Sequence, residues 1–467
     1  MKLSLKTKTP DMDEANQTPW RFSHRLPLQQ DIERESGEAT TGAARGFAAG
    51  LMRRLLAACG DPPLRLILPD GQEIVPQGVE AVGAIAIKDQ RTVWSIALDP
   101  RFQFGEAYAQ GRLEFRDEMT QCLTALFTAM NRNGNQRTLV QSFLEKLRPP
   151  KGNSLYGSQH NIHHHYDIGN DFYQLWLDEN MLYTCAYFAH PHDTLEQAQI
   201  AKMDHVCRKL RLRPGMKVVE AGCGWGALAI HMATHYGVNV KAFNISREQI
   251  DWARDRVRQL GLEDKVDFVH DDWRSIRGQF DAFGSVGMLE HVGVKNYRQL
   301  GETIRNCLKP EGIGLIHTIG QNKPASFNPW IEKRIFPGAY PPSLSEMTQI
   351  FNPNGFSVLD VENLRLHYAQ TLKHWLGRFE NSVNQIRDQF GETFVRVWRM
   401  YLAGSLAGFE SGHLQLFQVV FAHAVSNNVP RTREHLYDLA SDRVPPGAEH
   451  QLYAWANSPI NENWSES

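Results

Sequence analysis

Val218-Val219-Glu220-Ala221-Gly222-Cys223-Gly224-Trp225-Gly226 decides the fold. Its first four residues read as a buried strand, and three alternate glycines follow at once. Ala227 to Tyr236 then reads as a helix. Alternate glycines let the chain turn sharply and let a ligand come close to the backbone. Working outward, the same alternation continues. Strands are expected at Lys217 to Ala221, Asn239 to Asn244, Val266 to His270, Ala282 to Val286 and Ile313 to Thr318. Helices are expected between them, including Ser246 to Leu260 and Tyr297 to Leu308. This pattern predicts a mainly parallel sheet with helices on both faces, an α/β fold of Rossmann-like type. Ser343 to Phe351 and Thr371 to Phe409 read as mainly helical, and Gln415 to His423 as a last strand.

The chain has 467 residues, which suits two or three domains. Residues 1–44 read as a polar, poorly ordered tail. Residues 45–148 read as a small α+β domain, with a helix from Phe47 to Cys59, strands at Leu64 to Leu68 and Ala81 to Ile87, and helices at Phe104 to Gln110 and Glu118 to Asn131. Pro149-Pro150-Lys151-Gly152 opens a linker over 149–160, and 161–467 forms the catalytic domain. With 42% hydrophobic and 22% charged residues and a formal net charge of -2, no global field draws the protein to nucleic acid. No apolar run reaches the roughly 18 residues of a spanning helix. Met1 to Ala15 lacks the apolar stretch of a secretory signal, so a cytoplasmic location is expected. The six cysteines form no CxxC pair. Adjacent His163-His164-His165 cannot all point at one ion from a regular helix, and no metal is expected.

The glycine spacing, G-x-G-x-G, differs from the dinucleotide pattern G-x-G-x-x-G. A bulky Trp225 near the helix start is awkward for a pyrophosphate, which needs that N-terminus. S-adenosylmethionine carries no phosphate and fits better. The second strand ends in Asn244-Ile245-Ser246, with Gln249 one turn on; both amides can donate and accept toward ribose hydroxyls. The third ends in Asp271-Asp272-Trp273, a carboxylate and an aromatic face suited to adenine.

Several longer segments sit in register around these pieces. They are His165-Tyr166-Asp167-Ile168-Gly169-Asn170-Asp171-Phe172-Tyr173, Tyr183-Thr184-Cys185-Ala186-Tyr187-Phe188, Ser285-Val286-Gly287-Met288-Leu289-Glu290-His291-Val292-Gly293 and His317-Thr318-Ile319-Gly320. Together they resemble the cyclopropane-fatty-acyl-phospholipid synthase family and its mycolic acid relatives. The likeness is strong from Asn161 to Phe421 and weaker through Phe104-Gly105-Glu106-Ala107-Tyr108. It implies a class I methyltransferase domain with a smaller, sterol-carrier-like α+β domain that presents lipid and supports a homodimer. It implies that Tyr183, Thr184, Glu220, Ala221, Gly222, Cys223, Gly224, Trp225, Gly226, Leu228, Asn244, Ile245, Ser246, Gln249, Asp272 and Trp273 bind S-adenosylmethionine. It also implies a bicarbonate ion held by groups at Cys185, Glu290, His317, Ile319 and Tyr368. Glu220-Ala221 stands where the family commonly has Asp-Ile, and Ser405 where many members have Cys.

The activity implied is methylene transfer from S-adenosylmethionine to the cis double bond of an unsaturated phospholipid acyl chain, at the inner membrane surface. Bicarbonate would act as general base, oriented by His317, Tyr368 and backbone amides near Cys185 and Ile319, while Glu290 accepts its hydroxyl proton. Lys333-Arg334-Ile335-Phe336-Pro337-Gly338 is a candidate lipid-facing loop, and Arg208-Lys209-Leu210-Arg211-Leu212-Arg213 a second basic stretch. Three other readings stay open: a methylene- or methyl-branched product, a small soluble acceptor, and a lipid-binding protein without catalysis.

Overall fold

The computed structural model describes residues 46–133 and 169–437. The tail over 1–44, the linker over 149–160 and the histidines at 163–165 lie outside them.

Residues 46–133 fold around four strands, β1 (Leu64–Ile67), β2 (Glu73–Ile74), β3 (Gly83–Ile87) and β4 (Leu113–Phe115), in the order β2-β1-β3-β4. β3, Gly-Ala-Ile-Ala-Ile, is buried along its whole length. The helix expected from Phe104 starts earlier, at Pro100, because proline is tolerated in a first helical turn. A further helix, Gln90–Leu98, is capped by Asp89, whose carboxylate accepts from the Thr92 amide at 2.8 Å.

This unit does not stand apart. Trp330, Met400, Ala403 and Ala407 share its apolar core with Leu64, Ile85 and Val93. The Phe104 to Tyr108 stretch lies along the seam. A Cβ on Gly105 would stand 2.6 Å from the Trp330 ring. Glu106 pairs with Arg334, and the Arg396 guanidinium lies 4.2 Å from the Tyr108 ring centroid. Lys333 sits over Phe102, 4.9 Å from its centroid. Lys333 and Arg334, the cations of the candidate lipid-facing loop, make these contacts while staying exposed, on a helix, Pro329–Arg334, that packs on the helix Pro100–Ala109.

The larger sheet contains β5 (Lys217–Ala221), β6 (Asn239–Asn244), β7 (Val266–His270), β8 (Phe280–Val286), β9 (Leu308–Gly320), β10 (Phe356–Asn363) and β11 (Gln415–His423). Its order is β10-β11-β9-β8-β5-β6-β7. β5 to β9 run parallel, while β11 is antiparallel to β9 and β10 to β11. From β5 the chain moves one way to β6 and β7, then returns to β8 on the other side. That reversal opens a crevice beyond the carboxyl end of β5, where such sheets bind ligands.

The helical region expected from Thr371 to Phe409 is three helices, Arg365–Asn381, Val383–Phe390 and Glu392–Glu410. Gly391, at φ +83°, separates the last two. One helix not expected, Leu195–Lys209, begins with a Thr194–Gln197 capping box. It is joined to β10 by charge. Glu362 accepts from Lys209 Nζ at 2.6 Å and meets His205 Nε2 at 2.7 Å. Burial raises the Glu362 carboxyl, but His205 and Lys209 outweigh it and bring it down to about 2.

Because that value lies below the ordinary 4.5, the stabilisation is full above about pH 4.5 and is lost as pH falls towards 2. Glu362→Gln should cost about 2–3 kcal/mol at pH 7 by leaving Lys209 uncompensated. Urea denaturation at several pH values should show the gap between variant and parent closing in acid.

Candidate active site

Beyond β5, β6, β7 and β8 lies a cavity. Tyr183, Thr184, Glu220, Gly222, Cys223, Gly224, Trp225, Leu228, Asn244, Ile245, Gln249, Asp272 and Trp273 line it. Three residues of the expected set do not. Ala221 is sealed in the core with Val219 and Phe243. Gly226 begins the helix Ala227–Tyr236, and a Cβ there would collide with Phe268 and Ala253, so its lack of a side chain serves packing. Ser246 is a buried helix cap that receives the Gln249 amide at 3.4 Å. By contrast, a Cβ on Gly224 would meet nothing within 4 Å, so its φ of +54° leaves an open approach to the backbone.

The polar walls are held by their own hydrogen bonds. Asn244 Nδ2 donates to the Gly224 carbonyl at 3.2 Å and to Gln249 Oε1 at 2.8 Å. Trp225 Nε1 donates to Asn170 Oδ1 at 2.7 Å. Asp272 Oδ1 accepts from the Arg274 backbone and side chain, each at 2.9 Å, and the Arg274 guanidinium lies over the Trp273 ring at 4.4 Å.

Lys202, on the helix Leu195–Lys209, also lines the cavity and had no place in the sequence expectation. Its signal was a lysine inside an apolar stripe, four residues before Val206 and seven after Leu195. It is 1% exposed. Its Nζ donates to Thr184 Oγ1 at 2.9 Å. Burial lowers the ammonium to about 8 against the pull of Asp178, Cys185 and Glu220. Burial raises Glu220 to about 8 despite Lys202. Glu220 Oε2 is buried without a hydrogen-bond partner. Met181, Met288 and His291 also line the cavity and were likewise unforeseen.

A second group lies toward the β9–β11 side. Cys185 and Tyr368 are buried in one cluster with the partly buried Ile319 and with Leu416. His317 lies two residues before Ile319 on β9, beside Gln418 of β11, so its side chain leaves the same sheet face as those of Ile319, Leu416 and Gln418. Glu290 Oε1 accepts the Ile319 amide at 2.6 Å. That amide, expected to hold an anion, here holds Glu290. Glu290 Oε2 and His317 Nε2 are both buried without partners. Burial raises Glu290 to about 7, tempered by backbone amides and Thr318. Burial also pushes the Cys185 thiol up, so it remains protonated and is no nucleophile.

A sheet of this strand order with a parallel centre, a G-x-G-x-G turn at its reversal and amide and acid groups on the next two strand ends defines a class I S-adenosylmethionine-dependent methyltransferase. The family model for mycolic acid cyclopropane synthetase matches residues 154–419, and the chain belongs to that family. It is 39% identical over 332 residues to the cyclopropane-fatty-acyl-phospholipid synthase of Escherichia coli (strain K12), covering 70% of this chain and 84% of that one. It is 35% identical over 395 residues to a probable fatty acid methyltransferase of Pseudomonas putida, covering 80% and 96%. Among solved structures, mycolic acid cyclopropane synthase CmaA1 complexed with SAH and CTAB superposes with a TM-score of 0.54 at 30% identity, over 56% of this chain and 97% of that one. The cyclopropane synthase MmaA2 from Mycobacterium tuberculosis superposes with the same score at 28% identity, over 56% and 98%.

Glu220 is expected to be protonated below about pH 8 and to ionise on meeting the cationic donor. Titration calorimetry in buffers of different ionisation enthalpy should therefore show proton release on S-adenosylmethionine binding at pH 7. Glu220→Gln should abolish that release and weaken binding roughly ten- to a hundredfold.

Proposed function

We propose that the protein transfers a methylene group from S-adenosylmethionine to the cis double bond of an unsaturated phospholipid acyl chain, closing a cyclopropane ring. One observation carries this beyond the family assignment. Two buried polar atoms, Glu290 Oε2 and His317 Nε2, lack partners; Glu290 binds the Ile319 amide, His317 shares the sheet face of Ile319, and Ile319 packs with Cys185, Tyr368 and aromatic side chains. An apolar site suits a hydrocarbon chain, and an acceptor with a donor suits one small anion bearing a hydroxyl group.

The alkene's π electrons form a carbon–carbon bond to the sulfonium methyl. The carbon–sulfur bond breaks toward sulfur, leaving S-adenosylhomocysteine and a cation on the acyl chain. A proton then leaves the new methyl group, and its bonding pair closes the ring. Bicarbonate, when bound, supplies the general base for that proton. His317 Nε2–H and Tyr368 would hold the anion, and Glu290 Oε2 would accept its hydroxyl hydrogen. The Ile319 amide acts through Glu290, which it fixes. Lys202 adds positive charge beside Cys185 and Glu220. The apolar lining keeps water from the cation, which would otherwise end as an alcohol.

The 46–133 unit is proposed to present lipid. Peripheral contact with the inner membrane surface and a homodimer belong to the same proposal, supported by the family resemblance. Among the described residues no helix is long and apolar enough to cross a membrane.

A second reading, a methylene- or methyl-branched product, has its own support. The probable fatty acid methyltransferase covers more of this chain than the cyclopropane-fatty-acyl-phospholipid synthase does. So does the tuberculostearic acid methyltransferase of Mycobacterium tuberculosis, 32% identical over 87% of this chain.

Incubation with carbon-13 methyl-labelled S-adenosylmethionine and cis-unsaturated phospholipid decides between them. A labelled ring methylene in the carbon and proton spectra is expected; a labelled vinylidene or methyl signal would establish the branched outcome. At fixed bicarbonate, turnover should rise as pH passes about 7, where Glu290 loses its proton. Glu290→Gln should lower turnover about 10²–10⁴-fold with S-adenosylhomocysteine affinity unchanged.

A further inference from the structure

The reading above requires His317 to present a hydrogen-bond donor, and a neutral imidazole has a donor on only one nitrogen. What sets the choice lies behind the ring. Lys209 Nζ donates to Gln418 Oε1 at 2.7 Å. Gln418 Nε2 stands 3.0 Å from His317 Nδ1. Lys209, Gln418 and His317 are each at most 2% exposed, so no water competes. Lys209 is held in turn by Glu362 at 2.6 Å.

An ammonium can only donate, so the Gln418 atom facing Lys209 must be its carbonyl oxygen. The amide NH2 then faces His317, and Nδ1 must accept. The proton of a neutral ring is left on Nε2, the atom that has no partner within the protein. Burial and the cations Lys202 and Lys209 disfavour a second proton on the ring.

We propose that Lys209 and Gln418 are positioning residues: Lys209 locks the Gln418 amide, and that amide fixes His317 as the Nε2–H tautomer, aimed as a donor into the anion site. This rests on the proposed function only for what the donor is used for. The tautomer follows from the hydrogen bonds alone.

The test begins without substrate. Long-range proton–nitrogen correlation spectra of protein labelled with nitrogen-15 histidine report which ring nitrogen carries the proton. The His317 signals are those missing in His317→Gln. Protonated Nε2 and bare Nδ1 are expected; protonated Nδ1 in the parent protein would overturn the proposal whatever the product. Gln418→Glu gives Lys209 one carboxylate oxygen and offers the other to a His317 Nδ1–H, so the tautomer should reverse. The bicarbonate concentration for half-maximal turnover should then rise roughly tenfold or more, with S-adenosylhomocysteine affinity unaltered. Should Gln418→Glu not fold, Lys209→Met, which frees the amide to flip, should give a mixture of tautomers and an intermediate bicarbonate requirement. A reversed tautomer with unaltered bicarbonate dependence would overturn the aiming of Nε2. A parent enzyme indifferent to bicarbonate would remove the proposed base and leave the tautomer assignment to stand on its spectrum.

Discussion

The ammonium of Lys202 has almost no exposure to water, and much of the site's arrangement follows from that. An unpaired charge at such depth is costly. It is made tolerable by the Thr184 hydroxyl at 2.9 Å and by the pull of Asp178, joined by Glu220 once that carboxyl ionises. Those groups come from three places: the chain before Thr184, the Asp178 turn and the end of β5. Asp178 is itself fixed by the Leu182 and Asn180 amides at 2.8 and 3.0 Å. Lys202 therefore ties the Asp178–Thr184 segment to the glycine turn. Seven residues later on the same helix, Lys209 reaches Gln418 and Glu362. Two turns of one helix thus deliver a cation to the cofactor cavity and another to the support of His317.

The central strands were legible because they are short apolar runs bounded by turn residues. β5, β6, β7 and β11 fall where Lys217, Asn239, Val266 and Gln415 open such runs. β9 is longer than expected at both ends, because pairing with β8 and β11 continues past the apolar stretch. β10 was not legible. Phe356–Asn363 is an edge strand with half-exposed residues and three acids or amides, and only its pairing with β11 defines it. The helix Leu195–Lys209 hid for the opposite reason: its buried face carries Gln199, Lys202, Asp204, His205 and Lys209. Periodicity methods count those as surface residues.

The site was legible in proportion to how local its chemistry is. The glycine turn and the ends of β6 and β7 are contiguous in sequence, and most of their residues line the cavity. Ala221, Gly226 and Ser246 belong to the same stretches but serve the core, a helix contact and a cap. Contiguity alone cannot separate lining from support. Lys202, Met181 and His291 enter from elsewhere in the chain, and only the folded arrangement brings them in. The Lys333-Arg334 pair has the basic, aromatic, proline-containing surroundings of a lipid contact, and only the fold shows that these exposed cations also touch Phe102 and Glu106.

The claim that Lys202, whose charge acts on Glu220 in the cofactor cavity and on Cys185 and His317 beside it, serves both halves of the site is tested most directly by the steady-state kinetics of Lys202→Met. Methyl transfer should be followed while S-adenosylmethionine and bicarbonate are varied independently, with folding checked by circular dichroism. The account predicts that the half-saturating concentrations of both rise together. A folded variant in which both match the parent would contradict it.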